Sequence, residues 1–297
     1  MPATYVTTNS KDFVNPPQYI EETTVGTIPT SSPTLLEIGK IRSFSITHDT
    51  LNKKFRVLGS EDLFSSVKTG EAYAIQLEFG MLDSTFFKYL SQAKGGGAGT
   101  IDKTFSLFWS KKVDGTTYFE NATGCRINSG SISVTPDEVK CSLSIIALGI
   151  TVPNATNPLT TPTLVTTGSS SDPWTGLDSG SNPLTHNSNN YDVPNFNMSI
   201  NRNLDIIRVN GSTRIIDNPS TKRDVSGTFD VIKKDAVLKA DAKALTSRTM
   251  SYVLKSATST ISFTGARLEK LDESFDAEAG NENTESFGYF AKTVSVS

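Results

Sequence analysis

The fold is decided by a pattern that occurs twice in this chain. Residues 44–83 read FSITHDTLNKKFRVLGSEDLFSSVKTGEAYAIQLEFGMLD, and residues 196–235 read FNMSINRNLDIIRVNGSTRIIDNPSTKRDVSGTFDVIKKD. Aligned without a gap, the two stretches share these identities: Phe44 with Phe196, Arg56 with Arg208, Val57 with Val209, Gly59 with Gly211, Ser60 with Ser212, Thr69 with Thr221 and Asp83 with Asp235. A shorter match follows, where Thr123–Ile127 meets Thr264–Leu268. Repetition of domain-sized units predicts two copies of one fold.

Length and composition favour a β-rich protein of two domains. The chain has 297 residues, of which 36% are hydrophobic and 20% charged, and its formal net charge is −3. Abundant Ser, Thr and Asn favour strands, turns and polar loops over helices. The slight negative charge argues against a protein that holds nucleic acid by neutralising phosphates. No apolar run is long enough to cross a bilayer, so membrane insertion is not expected.

The termini and the cysteines indicate a protein made in the cytoplasm. Residues 1–10 lack the basic start and apolar core of a secretory signal. Cys125 and Cys141 both lie in the first copy, and the repeat puts Ala266 opposite Cys125. We therefore expect two reduced, buried thiols and no disulfide in the shared fold.

Composition divides the chain into four predicted segments. Residues 1–34 are rich in Thr, Pro and Ser without an apolar period, which predicts an N-terminal arm that does not form its own core. Residues 35–150 and 192–297 carry the repeated pattern and are predicted to be the two domains. Residues 151–191 have the composition of an extended linker, in which Trp174 is expected to anchor the segment to a surface.

Local patterns predict strands with one short helix in each domain. Residues 73–79 alternate between apolar and polar side chains, as a half-buried strand does, and Gly227 stands in the place of Ile75 in the second copy. Helices are predicted from Asp83 to Ala93, capped by Asp83 or Ser84, and from Asp235 to Leu245, capped by Asp235. The predicted fold is mainly β, with two tandem β-sandwich or barrel domains and a short flanking α-helix in each.

The glycine-rich segment is not interpreted as a nucleotide site. Residues 95–99 precede a Lys103-Thr104 pair, but a phosphate-binding loop requires glycine directly before the lysine, and Asp102 stands there. A flexible loop tip explains the glycines better. The sequence predicts no cofactor, no metal and no catalytic residue.

Histidines and carboxylates likewise indicate no active site. His48 and His186 lie apart from cysteines and carboxylates at metal-ligand spacing, and both are expected to be surface or interface residues. The acidic residues between Asp272 and Glu285 are expected to form a solvated hairpin tip. An enzyme is therefore the least supported class of protein.

Each copy resembles the tail tube domain of long-tailed bacteriophages and related tailed viruses of archaea. The order of elements carries this resemblance: a strand with Phe44 and Ile46, a hairpin through Phe55, Val57 and Gly59, a long loop to Gly70, the strand Tyr73–Phe79, the helix from Asp83, and strands to Ile150. The same order recurs from Phe196 to Val296.

The resemblance implies a structural, non-enzymatic virion protein. In that family one domain is a small β-sandwich or barrel flanked by a helix, six domains form a ring, and rings stack into a tube for DNA. Duplicated members would form homotrimeric rings, and double-stranded DNA would pass through during genome ejection without specific binding. Other implied partners are tail terminator, baseplate and tape-measure-type proteins. The implied location is the virion tail, after assembly in the host cytoplasm.

Two sets of residues are candidates for roles in such a tube. The first set consists of small or polar side chains on alternate positions of one strand in each copy, and is expected to face the lumen: Ala74, Gln76, Glu78, Ser226, Thr228 and Asp230. The second set lies in the arm and linker and is expected to contact the next ring: Pro16, Pro17, Tyr19 and Trp174. The loops 58–70 and 210–222 are further candidates for that contact.

Other interpretations remain open at this point. A baseplate hub or distal tail ring also uses two tube-like domains in a trimer, and the tube of a contractile injection system is a related option. A tandem β-sandwich adhesin is a rival from another class, although it would be secreted and monomeric.

Overall fold

The computed structural model describes residues 3–4, 13–56, 63–91, 103–165, 172–208, 215–232, 236–273 and 284–297. The strands of the first half of the chain are β1 (Ala3–Thr4), β2 (Phe13–Glu21), β3 (Thr34–Glu37), β4 (Lys40–Arg56), β5 (Leu63–Gly80), β6 (Phe105–Val113), β7 (Thr116–Val134), β8 (Val139–Ala147) and β9 (Gly149–Ile150). Those that follow are β10 (Thr163–Val165), β11 (Leu184–His186), β12 (Asn189–Tyr191), β13 (Phe196–Asn201), β14 (Asp224–Val231), β15 (Arg248–Lys255), β16 (Ser259–Glu273), β17 (Glu285–Ala291) and β18 (Thr293–Val296). The helices are α1 (Lys88–Ser91), α2 (Ala236–Ala244) and a 3-10 turn at Gly176–Ser179.

One antiparallel sheet runs through both halves, and we call it the central sheet. Its strand order is β4, β5, β8, β7, β13, β14, β17 and β16. The two halves meet where β7 pairs with β13, in a register that runs from Ser129↔Asn201 to Val134↔Phe196. This pairing joins the predicted mainly β domains into a single continuous sheet.

A smaller sheet covers the core side of each half. The first side sheet contains β10, β3, β2, β6, the first part of β7 and β9. The second contains β12, β11, β15, the first part of β16 and β18. The strands β7 and β16 pass from one layer to the other, and each does so beside a glycine with positive φ, Gly124 (60°) and Gly265 (65°). Glycine accepts this conformation without the strain that a side chain would impose.

Strand registers correspond between the halves. Across the first half the central sheet pairs Phe44, Leu77, Leu143 and Gly130 in one row. Across the second half the equivalent row contains Phe196, Phe229, Phe287 and Leu271. The aligned positions of the two sequence copies therefore occupy the same places in their sheets.

The hydrophobic core lies between the central sheet and the side sheets. Apolar positions of β5 point into it, with Ile75 fully buried and Leu77 and Phe79 almost so, as alternation predicts. The turn and helix after β5 add Phe86, Phe87 and Leu90 to this core. At about 25 cal/mol per Å² of apolar surface, such aromatic and branched side chains are the main source of stability.

The helices differ in length from those predicted. The first, Lys88–Ser91, begins later than predicted, because a turn in which the Asp83 carboxylate accepts from the Thr85 backbone N–H at 2.8 Å occupies the preceding residues. Residues 92 and 93 of the predicted helix lie outside the described residues. The second helix agrees closely with the prediction. Leu238 is buried in it, but Leu245 is 48% exposed instead of packing into the core. The glycine run at residues 95–99 lies outside the described residues.

Strand β2 and the turn after it, which belong to the predicted arm, pack into the core of the first half. Tyr19 is 1% exposed and β2 pairs with β6. The buried Glu22 carboxylate accepts from the hydroxyls of Thr104 and Ser106, each at 2.6 Å, and from the Gly124 N–H at 2.7 Å. Register shifts in the β2–β6 pairing interrupt the alternation of side chains, so this strand has no regular apolar period in its sequence.

The segment predicted as a linker, residues 151–191, also contributes to the layers. Strand β10 extends the first side sheet, and the β11–β12 hairpin extends the second. Short strands of three residues carry too little pattern to be distinguished from loops by sequence.

Candidate functional site: the polar face and the two edges of the central sheet

The face of the central sheet that points away from the core is polar. One paired row across it consists of Ser43, Glu78, Ser142, Ser131, Ser199, Ser226, Phe290 and Arg267. The six predicted lumen residues all lie on this face: Gln76, Ser226 and Thr228 are exposed, and Ala74, Glu78 and Asp230 are half-buried. The structure thus brings the candidates from β5 and β14 onto one surface.

Three predicted lumen residues, Gln76, Glu78 and Asp230, are ion-paired or hydrogen-bonded within the polar face. Glu78 forms an ion pair with Lys140 at 3.0 Å, and the Gln76 amide donates to Ser144 Oγ at 3.1 Å. The Asp230 carboxylate accepts from the Asn195 amide at 2.9 Å and from the Ser286 hydroxyl. These contacts satisfy polar groups of β5 and β14 within the surface, so these strands offer little free charge to a polyanion.

Two arginines of the second half donate hydrogen bonds to backbone carbonyls of the first half. Arg202 in the second half donates to the carbonyls of Tyr89 (3.2 Å) and Ile127 (3.4 Å) in the first half. Arg223 donates to the Ser91 carbonyl at the end of α1. A cation at the C-terminal end of a helix satisfies carbonyls that lack an intrahelical partner.

A second junction contact lies where the loop after β13 meets the first half. Arg126 is 4% exposed, and its guanidinium donates to the Asn218 side-chain oxygen at 2.6 Å and to the Asp217 carboxylate. The Asn218 amide in turn donates to the Ile146 carbonyl at 3.0 Å. Sequence reasoning did not single out these junction residues. The signal in the sequence is that Arg126 aligns with Arg267 in the shorter repeated segment.

The predicted inter-ring residues occupy different environments. Pro16 is exposed and Pro17 is buried. Tyr19 and Trp174 are 1% and 3% exposed. The Trp174 backbone bridges Met81 and Val139 through hydrogen bonds of 2.7 Å. Trp174 therefore anchors its segment within the chain, and the inter-ring role of the four residues stays a prediction.

The central sheet ends at β4 on one side and at β16 on the other. The only described strand beyond β4 is the two-residue β1, whose Ala3 and Thr4 pair with His48 and Thr47. The last part of β16 pairs with β17 on one side, and no described strand pairs with its other side. Backbone groups along such edges are available to pair with another chain.

A cleft of about 440 Å³ opens beside β4 on the core side of the first half. It is lined by aromatic, aliphatic and charged side chains, among them Phe13, Phe44, His48, Glu71, Trp109 and Val152. The His48 ring stacks on Tyr73 at 4.7 Å, so this histidine lies at the cleft. Lys68 and the Tyr73 hydroxyl hold the pKa of the Glu71 carboxyl below its usual range.

His186 is fully buried, and the expectation that it lies on the surface or at an interface is wrong. Its Nε2 lies 3.0 Å from Asp241 on α2, and the same carboxylate accepts two hydrogen bonds from Arg248, each of 3.1 Å. The hydrogen bonds from Arg248, and then that from His186, hold the pKa of Asp241 below its ordinary value. This network ties α2 to β11 and β15.

Glu285 differs from the predicted solvated tip, because it is 1% exposed and paired with Lys239 at 2.9 Å. Residues 274–283 of that predicted tip lie outside the described residues.

Cys125 and Cys141 are free and fully buried, and burial raises the pKa of both thiols. Buried thiols with raised pKa values are chemically inert.

Within the described ranges, no cluster of His, Cys, Asp and Glu could hold a metal ion, and neither α-helix has the length and hydropathy of a membrane span. The structure is that of a mainly β protein whose central sheet has two edges, at β4 and β16, that can pair with strands of another chain. A family model described as phage tail tube protein matches residues 18–290, so this chain belongs to the phage tail tube protein family. No curated protein matches the chain. Its role is structural, as a self-assembling component of the tail tube in a phage virion.

Proposed function

We propose that this chain is a duplicated tail tube protein, in which three copies form a ring and rings stack into the conduit for viral DNA. Each chain would supply two of six equivalent positions around the ring. The pairing of β7 with β13 across the two halves carries this proposal, because it is an edge-to-edge junction of the kind that a ring needs six times.

The two edges of the chain are counterparts of that internal junction. By strand register, β16 in the second half takes the place of β7, and β4 in the first half takes the place of β13. Repeating the internal pairing between chains places Leu271 opposite His48 of a neighbouring copy, as Gly130 lies opposite Ile200 within the chain. A closed sheet of this kind would leave no exposed strand edge.

The polar face supports a role as the wall of the lumen. Serine, threonine and paired charges offer hydration without a cluster of cations, so DNA would slide along this face without being held through its phosphates. Gln76 and Thr228 would face the bore at equivalent levels of neighbouring domains.

Stacking of rings requires a head-to-tail contact, because only a heterologous interface extends without limit. Exposed positions near the start of β2, including Pro16, remain candidates for this contact. Tape-measure, tail terminator and baseplate proteins would then meet the lumen and the two tube ends.

Electron microscopy and sedimentation of the purified protein test the proposal. We expect rings with a threefold axis and a mass three times the 32.1 kDa of the chain, together with stacked tubes. Rings that never stack would favour a hub or distal tail ring. Monomers at all concentrations, with no threefold particles, would overturn the proposed ring.

A further inference from the structure

The cleft beside β4 has a counterpart in the second half that is already filled. In the second half, the core-facing residues of β13, Phe196, Met198 and Ile200, are 0–1% exposed. Their equivalents in β4, Phe44, Ile46 and His48, are only half-buried and line the open cleft. Equivalent positions thus differ in burial, although their strand pairing toward the neighbouring strand is the same.

The end of α1 lies at the filled counterpart. Its helix packs against β7 and β18, and the carbonyls of Tyr89 and Ser91 accept hydrogen bonds from Arg202 and Arg223. Strand β18 corresponds to β9, because each pairs with the part of its long strand just before the positive-φ glycine. Ile150 of β9 lines the open cleft. Among the described residues, no helix end lies at the cleft, whereas one lies at its counterpart.

We propose that the C-terminal end of α2 from a neighbouring copy fills the cleft, with Lys243 facing Glu71. This inference rests on the proposed ring and names the second contact that closes it. Helix α2 packs on β16 as α1 packs on β7, so edge pairing of β16 with β4 brings the end of α2 to the cleft.

The hydrogen-bond donor lies on the sheet side of the internal junction, and it lies on the helix at the proposed junction between copies. Within the chain, Arg223 is the donor and the α1 end at Ser91 is the acceptor. At the aligned positions, Glu71 replaces the arginine and Lys243 replaces the serine. Each cleft therefore prefers its own helix, because placing Arg223 beside Lys243 would bring two cations together.

Apolar surface supports the same pairing. Leu245, just after α2, is 48% exposed, and Ala240 and Ala244 are exposed beside it. On the acceptor side Val152 is 82% exposed at the cleft. Covering such residues removes apolar surface from water, and small alanines allow close approach of the helix.

Charge exchange tests the proposal in the full-length chain. Glu71→Lys and Lys243→Glu should each reduce the rate of ring formation at least about tenfold, and the double variant should recover most of it. Lys112→Glu, at an exposed hairpin end, is the matched control and should assemble normally. Thermal unfolding of each variant separates loss of the contact from loss of the fold.

Cross-linking gives a second readout that does not depend on charge. With both native cysteines buried, Ala240→Cys combined with Val152→Cys should be joined between copies by a short bismaleimide once rings form. Val113→Cys in place of Val152→Cys is the control and should not be joined.

Rings that form normally with Glu71→Lys, and that give no cross-link between positions 240 and 152, would overturn this contact while leaving the ring intact. Failure of the unaltered chain to form rings would instead overturn the proposed function. The two failures are therefore distinguishable in one set of samples.

Discussion

Arg126 and Arg267 occupy equivalent positions in the two halves, yet only Arg126 is buried. The loop after β13 covers Arg126 and supplies Asn218 and Asp217 as partners, whereas Arg267 is exposed beside Phe290, which is 37% exposed. The internal junction thus shows what a neighbouring copy would have to supply at the other end of the chain.

Replacing these two arginines should separate folding from assembly. Arg126→Ala removes the donor to the buried side-chain oxygen of Asn218, so we expect the free energy of unfolding to fall by about 1–3 kcal/mol. Arg267→Ala should change it by no more than about 0.5 kcal/mol but slow ring formation. Urea denaturation and sedimentation measure the two effects. Equal loss of stability in both variants would contradict the equivalence.

Positive charge on the polar face should impede genome passage. Gln76→Lys combined with Thr228→Lys would place cations where DNA phosphates pass, and we expect infectivity per particle to fall roughly tenfold or more. Plaque titre relative to particle count measures this. Thr156→Lys with Thr258→Lys, exposed positions outside the central sheet, is the control. Unchanged infectivity of the first variant would argue against this face as the lumen wall.

Removing residues 2–10 should speed ring formation. Strand β1 pairs with Thr47 and His48, where the proposed neighbour would pair, so it must leave before the edge can close. Loss of one or two backbone hydrogen bonds corresponds to roughly a tenfold increase in rate. Light scattering after a concentration jump follows assembly. Slower assembly would indicate that β1 belongs to the finished contact.

The buried network at α2 should make stability depend on pH. The pKa of Asp241 is lowered in the folded chain from its ordinary 3.8, so its contribution is present above that pH and is lost as the pH falls through the folded value. Asp241→Asn should therefore lower stability by about 1–3 kcal/mol at neutral pH, with a smaller difference below pH 3.8. Denaturation at several pH values measures both. A constant difference would argue against the ionised network, and the exposed Asp137→Asn is the control.

Gly227 should tolerate no side chain. A Cβ atom there would lie 2.1 Å from the Asn197 carbonyl oxygen and 2.5 Å from the Tyr289 hydroxyl. Gly227→Ala should cost about 1–3 kcal/mol, while the adjacent exposed Ser226→Ala should cost little. Thermal unfolding distinguishes the two, and equal melting temperatures would show that the sheet relaxes freely at this point.

The mainly β fold and the polar alternation of β5 and β14 could be predicted from the amino-acid sequence alone. Both follow from local periodicity, which alternates with the two faces of a strand whatever it packs against. The sequence alignment likewise identifies which residues of the two halves take equivalent positions in the sheet, such as Phe44 and Phe196. The alignment shows Gly227 at the position of Ile75. It does not show that the Asn197 carbonyl and the Tyr289 hydroxyl leave no room there for a side chain.

Which of two equivalent residues is buried depends on the tertiary contacts and could not be predicted from the sequence. Arg126 and Arg267, or Ile200 and His48, have matching places in sequence. Their burial differs because a segment of the chain covers one member of each pair, and no described segment covers the other. His186 and Asp241 are far apart in sequence, so no local pattern could bring them together. Contacts between segments distant in sequence depend on how the layers stack, and periodicity within one segment carries no information about its neighbour.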